Sequence, residues 1–265
     1  MSGRLPLVQV DAFTARAFAG NPAAVVLDAD GLAEALLPRI GAELSRPATA
    51  FVTAARQPGA DHTLRWFTPS GVELTFCGHA TLASAFLILN RLERGRDCVT
   101  FDSKSGPLVV TRDGERLVLD FPARPARAVA PDPRLADALH AVPRETGLAR
   151  DLMVVLDEED EVRRLRPDFQ RLSELDAFAV IVTAAGREAD FVSRFFAPRE
   201  GIAEDPVTGS AHCTLVPYWA KRLGKKQLRA LQVSARGGEL FCEDRGERVA
   251  IAGHAVLYLE GTIEI

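Results

Sequence analysis

Short apolar segments recur along the chain between polar turns, a pattern typical of β-strands. Two longer segments differ: residues 81–92 are apolar on nearly every side and predict a helix buried all round, and residues 211–223 predict a second helix. The sequence therefore predicts a mixed α/β fold in which strands predominate. The predicted strands are residues 7–13, 23–27, 50–54, 63–67, 99–102, 108–111, 117–121, 151–156, 178–183, 190–197, 232–235, 238–241, 248–252 and 255–259.

Prolines affect three of these interpretations. An amphipathic period predicts a helix over residues 28–44, where Pro38 is expected to kink the helix or mark its true start. Pro217 is expected to kink or shorten the helix at 211–223. Four prolines between positions 122 and 133 predict a linker between two halves, residues 1–123 and 124–256.

One order of motifs occurs twice. In the first half, RWFTP at 65–69 precedes CGHAT at 77–81, which is followed by an apolar helix. In the second half, RFFAP at 194–198 precedes DPVTGSA at 205–211, which is followed by a second apolar helix. This recurrence indicates an internal duplication. A helix buried all round needs walls on every side, so we expect each half to be a curved, mostly antiparallel sheet wrapped around a central helix.

Each of the two turns is expected to place backbone N–H groups at a helix N-terminus, where they attract anions. Gly78 and Gly209 allow the backbone to approach a ligand closely. If the halves face each other, both turns hold one small carboxylate and stabilise a developing enolate or carbanion. The sequence thus favours an isomerase-type site between the halves.

Asp205 is the best candidate for proton transfer, and the adjacent Glu204 is expected to favour its protonated form. A turn or capping aspartate before Pro206 is an equally good interpretation. His79 is predicted to occupy the matching place in the first turn, either as a proton shuttle or as a structural cap. Cys77 is a possible thiol acid or base beside the first turn.

The predicted substrate-binding residues lie in the turns themselves. Thr208 and Ser210 could bind a carboxylate, although capping the helix is the more common role of Ser210. Asn21 lies in a turn at 18–22. Gly237 lies in RGGE at 236–239, where paired glycines indicate either a close backbone approach or a plain turn.

Composition narrows the function classes. The chain has 265 residues and a formal net charge of −4. It lacks a basic stripe interleaved with aromatic residues, which argues against nucleic acid as the main partner. No apolar run reaches membrane-spanning length, and the N-terminus does not resemble a signal peptide. The four cysteines lack zinc-ligand spacing. We expect a soluble, cytoplasmic protein without a bound metal.

Several motifs together resemble the phenazine biosynthesis-like (PhzF) family, which shares the diaminopimelate epimerase fold. They are DAF at 11–13, GNP at 20–22, RWFTP, CGHAT, GIAEDPVTGSA at 201–211, YW at 218–219 and RGGE. The resemblance runs nearly end to end. It implies two similar halves with the active site between them, often a homodimer, no metal or organic cofactor, and a last strand at 257–265 that joins the first half.

The resemblance also implies a chemistry, the isomerisation of a small unsaturated hydroxy-amino acid by proton transfer. His79, Asp205 and Ser210 match positions that the family uses, and Gly78 and Gly209 match turns that contact substrate. The animal and bacterial relatives that look most similar have no assigned substrate.

One position departs from the family pattern. The family has a glutamate in a segment like SETAFV, expected to donate and accept the proton, whereas residues 45–52 read SRPATAFV and place Ala48 there. A methyl group cannot transfer a proton, and losing a general acid/base typically lowers a rate roughly 10²–10⁴-fold.

Three explanations for Ala48 remain open. Cys77 opposite Asp205 could supply the second group, as cysteines do from these turns in diaminopimelate epimerase. Another carboxylate, Glu43 or Glu73, could reach the site, although Glu73 also suits a structural role. The chain could instead be a non-catalytic relative that binds a protein or a small anion, which an arginine at position 46 would favour.

Overall fold

The computed structural model describes residues 3–265, which fall into two compact units. The first unit comprises the chain up to Asp120 together with Ala252–Ile265, and the second unit comprises Phe121–Ile251. Within residues 3–265, no helix combines the length and apolar character that crossing a membrane requires.

The first unit contains nine strands and two α-helices, counted over residues 3–122 and 252–265 because one strand runs two residues past Asp120. The strands are β1 (Arg4–Ala12), β2 (Asn21–Val26), β3 (Ala48–Ala54), β4 (His62–Phe67), β5 (Glu73–Leu74), β6 (Cys98–Asp102), β7 (Leu108–Asp113), β8 (Arg116–Pro122) and β18 (Ala255–Glu264). The helices are α1 (Leu36–Leu44) and α2 (Gly78–Leu87), and a π-helical turn, Ile88–Leu92, continues α2.

The second unit contains nine strands and four α-helices, counted over residues 121–253 because its last strand runs two residues past Ile251. The strands are β9 (Arg127–Ala128), β10 (Glu145–Leu148), β11 (Leu152–Val155), β12 (Val180–Ala185), β13 (Phe191–Ala197), β14 (Ile202–Asp205), β15 (Gln227–Gln232), β16 (Gly238–Asp244) and β17 (Arg248–Gly253). The helices are α3 (Arg134–Leu139), α4 (Glu159–Arg164), α5 (Phe169–Ser173) and α6 (Gly209–Leu223), and a 3₁₀ turn, Pro198–Glu200, follows β13.

The order of strand pairing is the same inside each unit. In the first, β1–β2 is antiparallel, β2–β3 parallel, β3–β4 and β4–β5 antiparallel, β4–β6 parallel and β6–β7 antiparallel. In the second, β10–β11, β11–β12, β12–β13, β13–β14, β13–β15 and β15–β16 repeat the same sequence of senses. The two copies of the Arg-aromatic-aromatic motif therefore occur on corresponding strands, β4 and β13.

The two α-helices of the first unit differ in how they are buried. In α2, nine of the ten residues are buried, which agrees with its apolar character on all sides. Helix α1 is amphipathic and buries Leu37, Ile40 and Gly41. Steric crowding favours glycine at position 41, because an added Cβ on Gly41 would lie 3.0 Å from the Cβ of Phe67.

Pro217 neither ends nor shortens α6, which continues to Leu223. A proline removes the N–H that would bond the carbonyl four residues earlier, here that of Cys213. The backbone N–H of Arg124 donates to that oxygen instead, at 2.8 Å. A long-range hydrogen bond thus replaces the missing helical one, so the expected shortening was wrong.

Other element predictions need correction. The helix predicted over 28–44 begins only at Leu36, with Pro38 in its first turn, where a missing N–H is tolerated. The strand predicted at 232–235 was wrong, because β15 ends at Gln232 and a turn follows. Strand β10 and the short helices α3, α4 and α5 were not predicted, since segments of four to six residues carry little periodic signal.

Candidate active site

Both central helices begin at the two predicted turns. Cys77 is the N-cap of α2 and Thr208 is the N-cap of α6, each with extended backbone. Neither N-cap side chain accepts a hydrogen bond from the backbone of its own helix, so the first N–H groups of both helices have no side-chain cap. Ser210 is the second residue of α6 and does not cap it; the capping interpretation was therefore wrong.

An ion pair leads into each turn. Arg65 Nε donates to Glu73 Oε1 at 2.7 Å, and Arg194 Nε donates to Glu204 Oε1 at the same distance. Each glutamate lies four positions before the N-cap of its helix. The repeated motif therefore encodes a repeated scaffold, in which an arginine on one strand fixes a glutamate on its neighbour.

The repeated scaffold aligns the two turns residue by residue. Leu74 pairs with β4, and Asp205 pairs with β13 at the corresponding position of the second unit. His79 then corresponds to Ser210, the second residue of the other helix. The expectation that His79 matches Asp205 was wrong: in the first unit, the place of Asp205 is taken by an aliphatic side chain.

The carboxylates beside the turns belong to these ion pairs. Glu204 accepts two hydrogen bonds from Arg194, at 2.7 and 2.8 Å, so its charge is neutralised rather than directed at Asp205. The hydrogen bond from Arg65 lowers the pKa of Glu73, the candidate replacement carboxylate. Glu43, the other candidate, is exposed on α1.

Asp205 is fixed by two neighbours. Thr208 Oγ1 donates to its Oδ2 at 2.5 Å, and Gln232 Nε2 donates to its backbone oxygen at 2.8 Å. Gln232 Oε1 also accepts from the backbone N–H of Thr208 at 2.8 Å. Gln232 is 1% exposed and was missed by the sequence reasoning; its signal is a polar residue at an inward position of a half-buried strand.

The turn before α6 has a further support. Ser234 Oγ donates to the backbone oxygen of Pro206 at 2.8 Å and accepts from the N–H of Gly237 at 3.1 Å. Gly237 has a φ of 67°, in the left-handed region, and an added Cβ would meet no atom within 4 Å. Backbone conformation rather than space therefore favours glycine there.

Cys77 and His79 contact each other, with Sγ 3.5 Å from Nδ1. Both side chains are buried, and burial lowers the pKa of His79 to about 3. The imidazole is therefore neutral near pH 7, where it can donate or accept a hydrogen bond but does not carry a positive charge beside the thiol.

Asn21 and Ala48 begin neighbouring parallel strands, β2 and β3, where Ala23 pairs with Ala48. Both Asn21 and Ala48 have no exposed surface. The preceding Arg46 is exposed. Across residues 3–265, no group of three or more His, Cys, Asp or Glu side chains is arranged to hold a metal ion.

His212 is the second buried histidine of the helix starts. Its Nδ1 lies 2.9 Å from the backbone oxygen of Thr208, which can only accept, so Nδ1 carries the proton. Its Nε2 is buried and has no hydrogen-bond partner in the described part of the chain. Burial lowers the pKa of His212 to about 4.

Acidification is expected to destabilise the protein through these two histidines. Unfolded-chain histidines titrate near pH 6.5, whereas the native pKa values of His79 and His212 are about 3 and about 4. Unfolding therefore takes up protons, so their contribution is complete above about pH 6.5 and declines as the pH falls towards 4, by up to ~1.4 kcal/mol per pH unit for each histidine.

Urea unfolding between pH 7.5 and 4.5 measures this effect. His212→Gln and His79→Gln are expected to flatten the pH dependence, whereas substitution of the exposed His140 by asparagine leaves it unchanged. An unaltered pH dependence in both buried-site variants would contradict the assignment.

The protein has a mixed α/β fold made mostly of strands with few helices, and solved PhzF-family and epimerase-like structures share this fold. The family model described as phenazine biosynthesis-like protein, PhzC-PhzF, matches residues 10–261. The chain belongs to this family.

Known relatives cover the chain almost completely. An uncharacterized isomerase of Pseudomonas aeruginosa is 51% identical over 264 residues, 99% of each chain. Phenazine biosynthesis-like domain-containing protein 2 of Mus musculus is 40% identical over 98% of this chain and 99% of its own. The crystal structure of a PhzF-family phenazine biosynthesis protein of Enterococcus faecalis is similar with a TM-score of 0.95 and 44% identity, over 99% of this chain and 100% of that one.

Proposed function

We propose that the protein is a cofactor-independent isomerase or epimerase that moves a proton on a small amino- or hydroxy-carboxylate. The observation that carries the proposal is the fixed Asp205 carboxylate, placed at the turn into α6 by Thr208 and Gln232. Membership of a family with a relative called an isomerase supports the same reaction class.

In the proposed reaction, Asp205 removes a proton from the carbon next to the substrate carboxylate. The negative charge that develops is stabilised by backbone N–H groups at the start of α6, where the helix dipole favours an anion. The proposed substrate-binding residues are Asn21, Gly78, Thr208, Gly209, Ser210 and Gly237.

Cys77 is the proposed second proton-transfer group. Ala48 supplies no proton, Glu73 is held in an ion pair and Glu43 is exposed, so the thiol is the acid/base candidate at the first turn. Neutral His79, 3.5 Å from the sulfur, can exchange a hydrogen bond with it.

Deuterium exchange tests the reaction class. The protein is incubated in D₂O with a panel of small amino and hydroxy acids, and uptake at the α-carbon is followed by NMR. At least one acid is expected to exchange; no uptake across the panel would contradict isomerase chemistry. Cys77→Ser is expected to slow exchange, with Cys98→Ser as the matched control, and full activity of Cys77→Ser would remove the thiol from the mechanism.

The alternative function is a catalytically impaired relative that binds a small anion or a protein, and Ala48 is the observation that favours it. It predicts that a carboxylate raises the melting temperature without any exchange of deuterium, because binding to the native state alone stabilises a protein. The same acid panel therefore separates the two functions.

A further inference from the structure

The side chain of Arg150 lies at the start of α6 and is held by three neighbours. Its Nη2 donates to Ser210 Oγ at 3.2 Å. Its Nε and Nη2 donate to the two carboxylate oxygens of Asp151, each at 2.8 Å. Its Cζ lies 4.7 Å from the centre of the Phe178 ring. Asp151 is 1% exposed, so this carboxylate–guanidinium pair is anchored inside the unit.

The Arg150–Asp151 pair lies in a turn that has a counterpart in the first unit. Arg150 and Asp151 form the turn between β10 and β11, and the corresponding turn of the first unit, between β1 and β2, leads into Asn21. Each unit thus places polar residues at the entry to its second repeated strand. In the second unit these residues contact the central helix directly, through Ser210.

The hydrogen bond from Arg150 to Ser210 Oγ limits where the hydroxyl proton of Ser210 can point. A guanidinium group can only donate, so Ser210 Oγ is the acceptor in this bond. The single hydroxyl proton of Ser210 must then point to another acceptor. A ligand group that receives it is a carboxylate, a carbonyl or an oxyanion, whereas an ammonium group cannot receive it.

We propose that Arg150 is a positioning residue, which sets the Ser210 hydroxyl as a donor to the substrate carboxylate and so makes the α6 end of the site selective for hydrogen-bond acceptors. This inference rests on the proposed function, since it assigns one substrate group to one part of that site. Net charge is not the determinant, because Asp151 neutralises Arg150. The determinant is the geometry of the guanidinium group, because lysine keeps the charge but lacks the planar fork that bonds two partners at once.

Calorimetric titration with oxalate, a planar anion that resembles an enolised carboxylate, tests the proposal. Ser210→Ala and Arg150→Gln are each expected to bind oxalate about tenfold more weakly than the wild-type protein, as loss of one hydrogen bond to a charged group predicts. Arg150→Lys is expected to restore only part of the affinity. In the double variant, Arg150→Gln should cause no further loss, because both changes remove one interaction.

A folding defect is separated by further variants. Arg150→Gln leaves a buried carboxylate without its arginine, so Arg150→Gln combined with Asp151→Asn is measured beside it and is expected to bind as weakly while melting higher. Arg144→Gln removes an exposed ion pair of the same unit and should leave oxalate binding unchanged.

Three results would overturn the proposal: additive losses in the Arg150/Ser210 double variant, unaltered oxalate binding in Arg150→Gln, or a wild-type protein that does not bind oxalate at millimolar concentration. Failure of the proposed function is distinguishable from all three. Oxalate binding that depends on Arg150 and Ser210, without deuterium exchange by any acid, would reject the isomerase and retain the positioning role. Deuterium exchange together with unaltered oxalate binding in Arg150→Gln would retain the isomerase and reject the positioning role.

Discussion

Asp205→Asn is expected to exchange deuterium into a substrate acid roughly 10²–10⁴-fold more slowly than the wild-type protein, the usual effect of removing a general base. The substitution isolates chemistry from structure, because the asparagine oxygen can still accept the hydrogen bond from Thr208 Oγ1. Gln232 holds the backbone oxygen of this residue, which the substitution leaves in place. NMR of the α-proton measures the rate, and thermal melting checks that the fold persists.

Asp157→Asn is the matched control for Asp205→Asn, since Asp157 is an exposed aspartate of the same unit whose ion pair with Arg144 lies at the surface. It is expected to exchange at the wild-type rate. If Asp205→Asn retained wild-type exchange while Cys77→Ser lost it, the base would be assigned to the first unit and the proposed direction of proton transfer would be reversed.

Ala48→Glu is expected to raise the exchange rate by roughly 10²–10⁴-fold, because the family resemblance places a proton-transferring glutamate at this position. The site is the first residue of β3 and has no exposed surface. Adding a buried polar side chain is therefore also expected to lower the free energy of unfolding, by about 1–3 kcal/mol. A gain in rate together with a loss of stability is the expected signature.

Ala48→Gln separates these two effects. Glutamine has the same shape and a similar burial penalty but cannot transfer a proton, so it should lose stability without gaining activity. Equal rates for the Glu and Gln variants would show that the absent carboxylate does not limit the reaction. A gain confined to Ala48→Glu would show that the remainder of the site is competent for proton transfer.

The two units combine a common scaffold with different chemistry. Arg65–Glu73 and Arg194–Glu204 are equivalent ion pairs that precede the two helix starts. At corresponding positions, however, one unit has Cys77 and His79 where the other has Thr208 and Ser210. The ion pairs that precede each turn are therefore alike in the two units, while the residues able to transfer protons differ.

Much of this architecture follows from local sequence. A helix that is apolar on every side must be enclosed, which predicted a buried α2, and β-strand patterns located most strands, because side-chain period reflects which face is buried. The repeated Arg-aromatic-aromatic motif identified the strands that lead into both turns. The residue types at the turns also indicated where a substrate carboxylate would be held, and that part of the interpretation stays a prediction.

The tertiary structure alone decided which polar groups meet. Glu204 adjoins Asp205 in sequence yet bonds Arg194, and Gln232 reaches Asp205 from a strand 27 residues later. Arg150 reaches Ser210 across 60 residues. Local sequence determines backbone preference and burial period, because these depend on neighbouring residues. Side-chain partners depend on strand register and packing between distant segments, and for this reason the turns were predictable whereas the contacts that orient Asp205 and Ser210 were not.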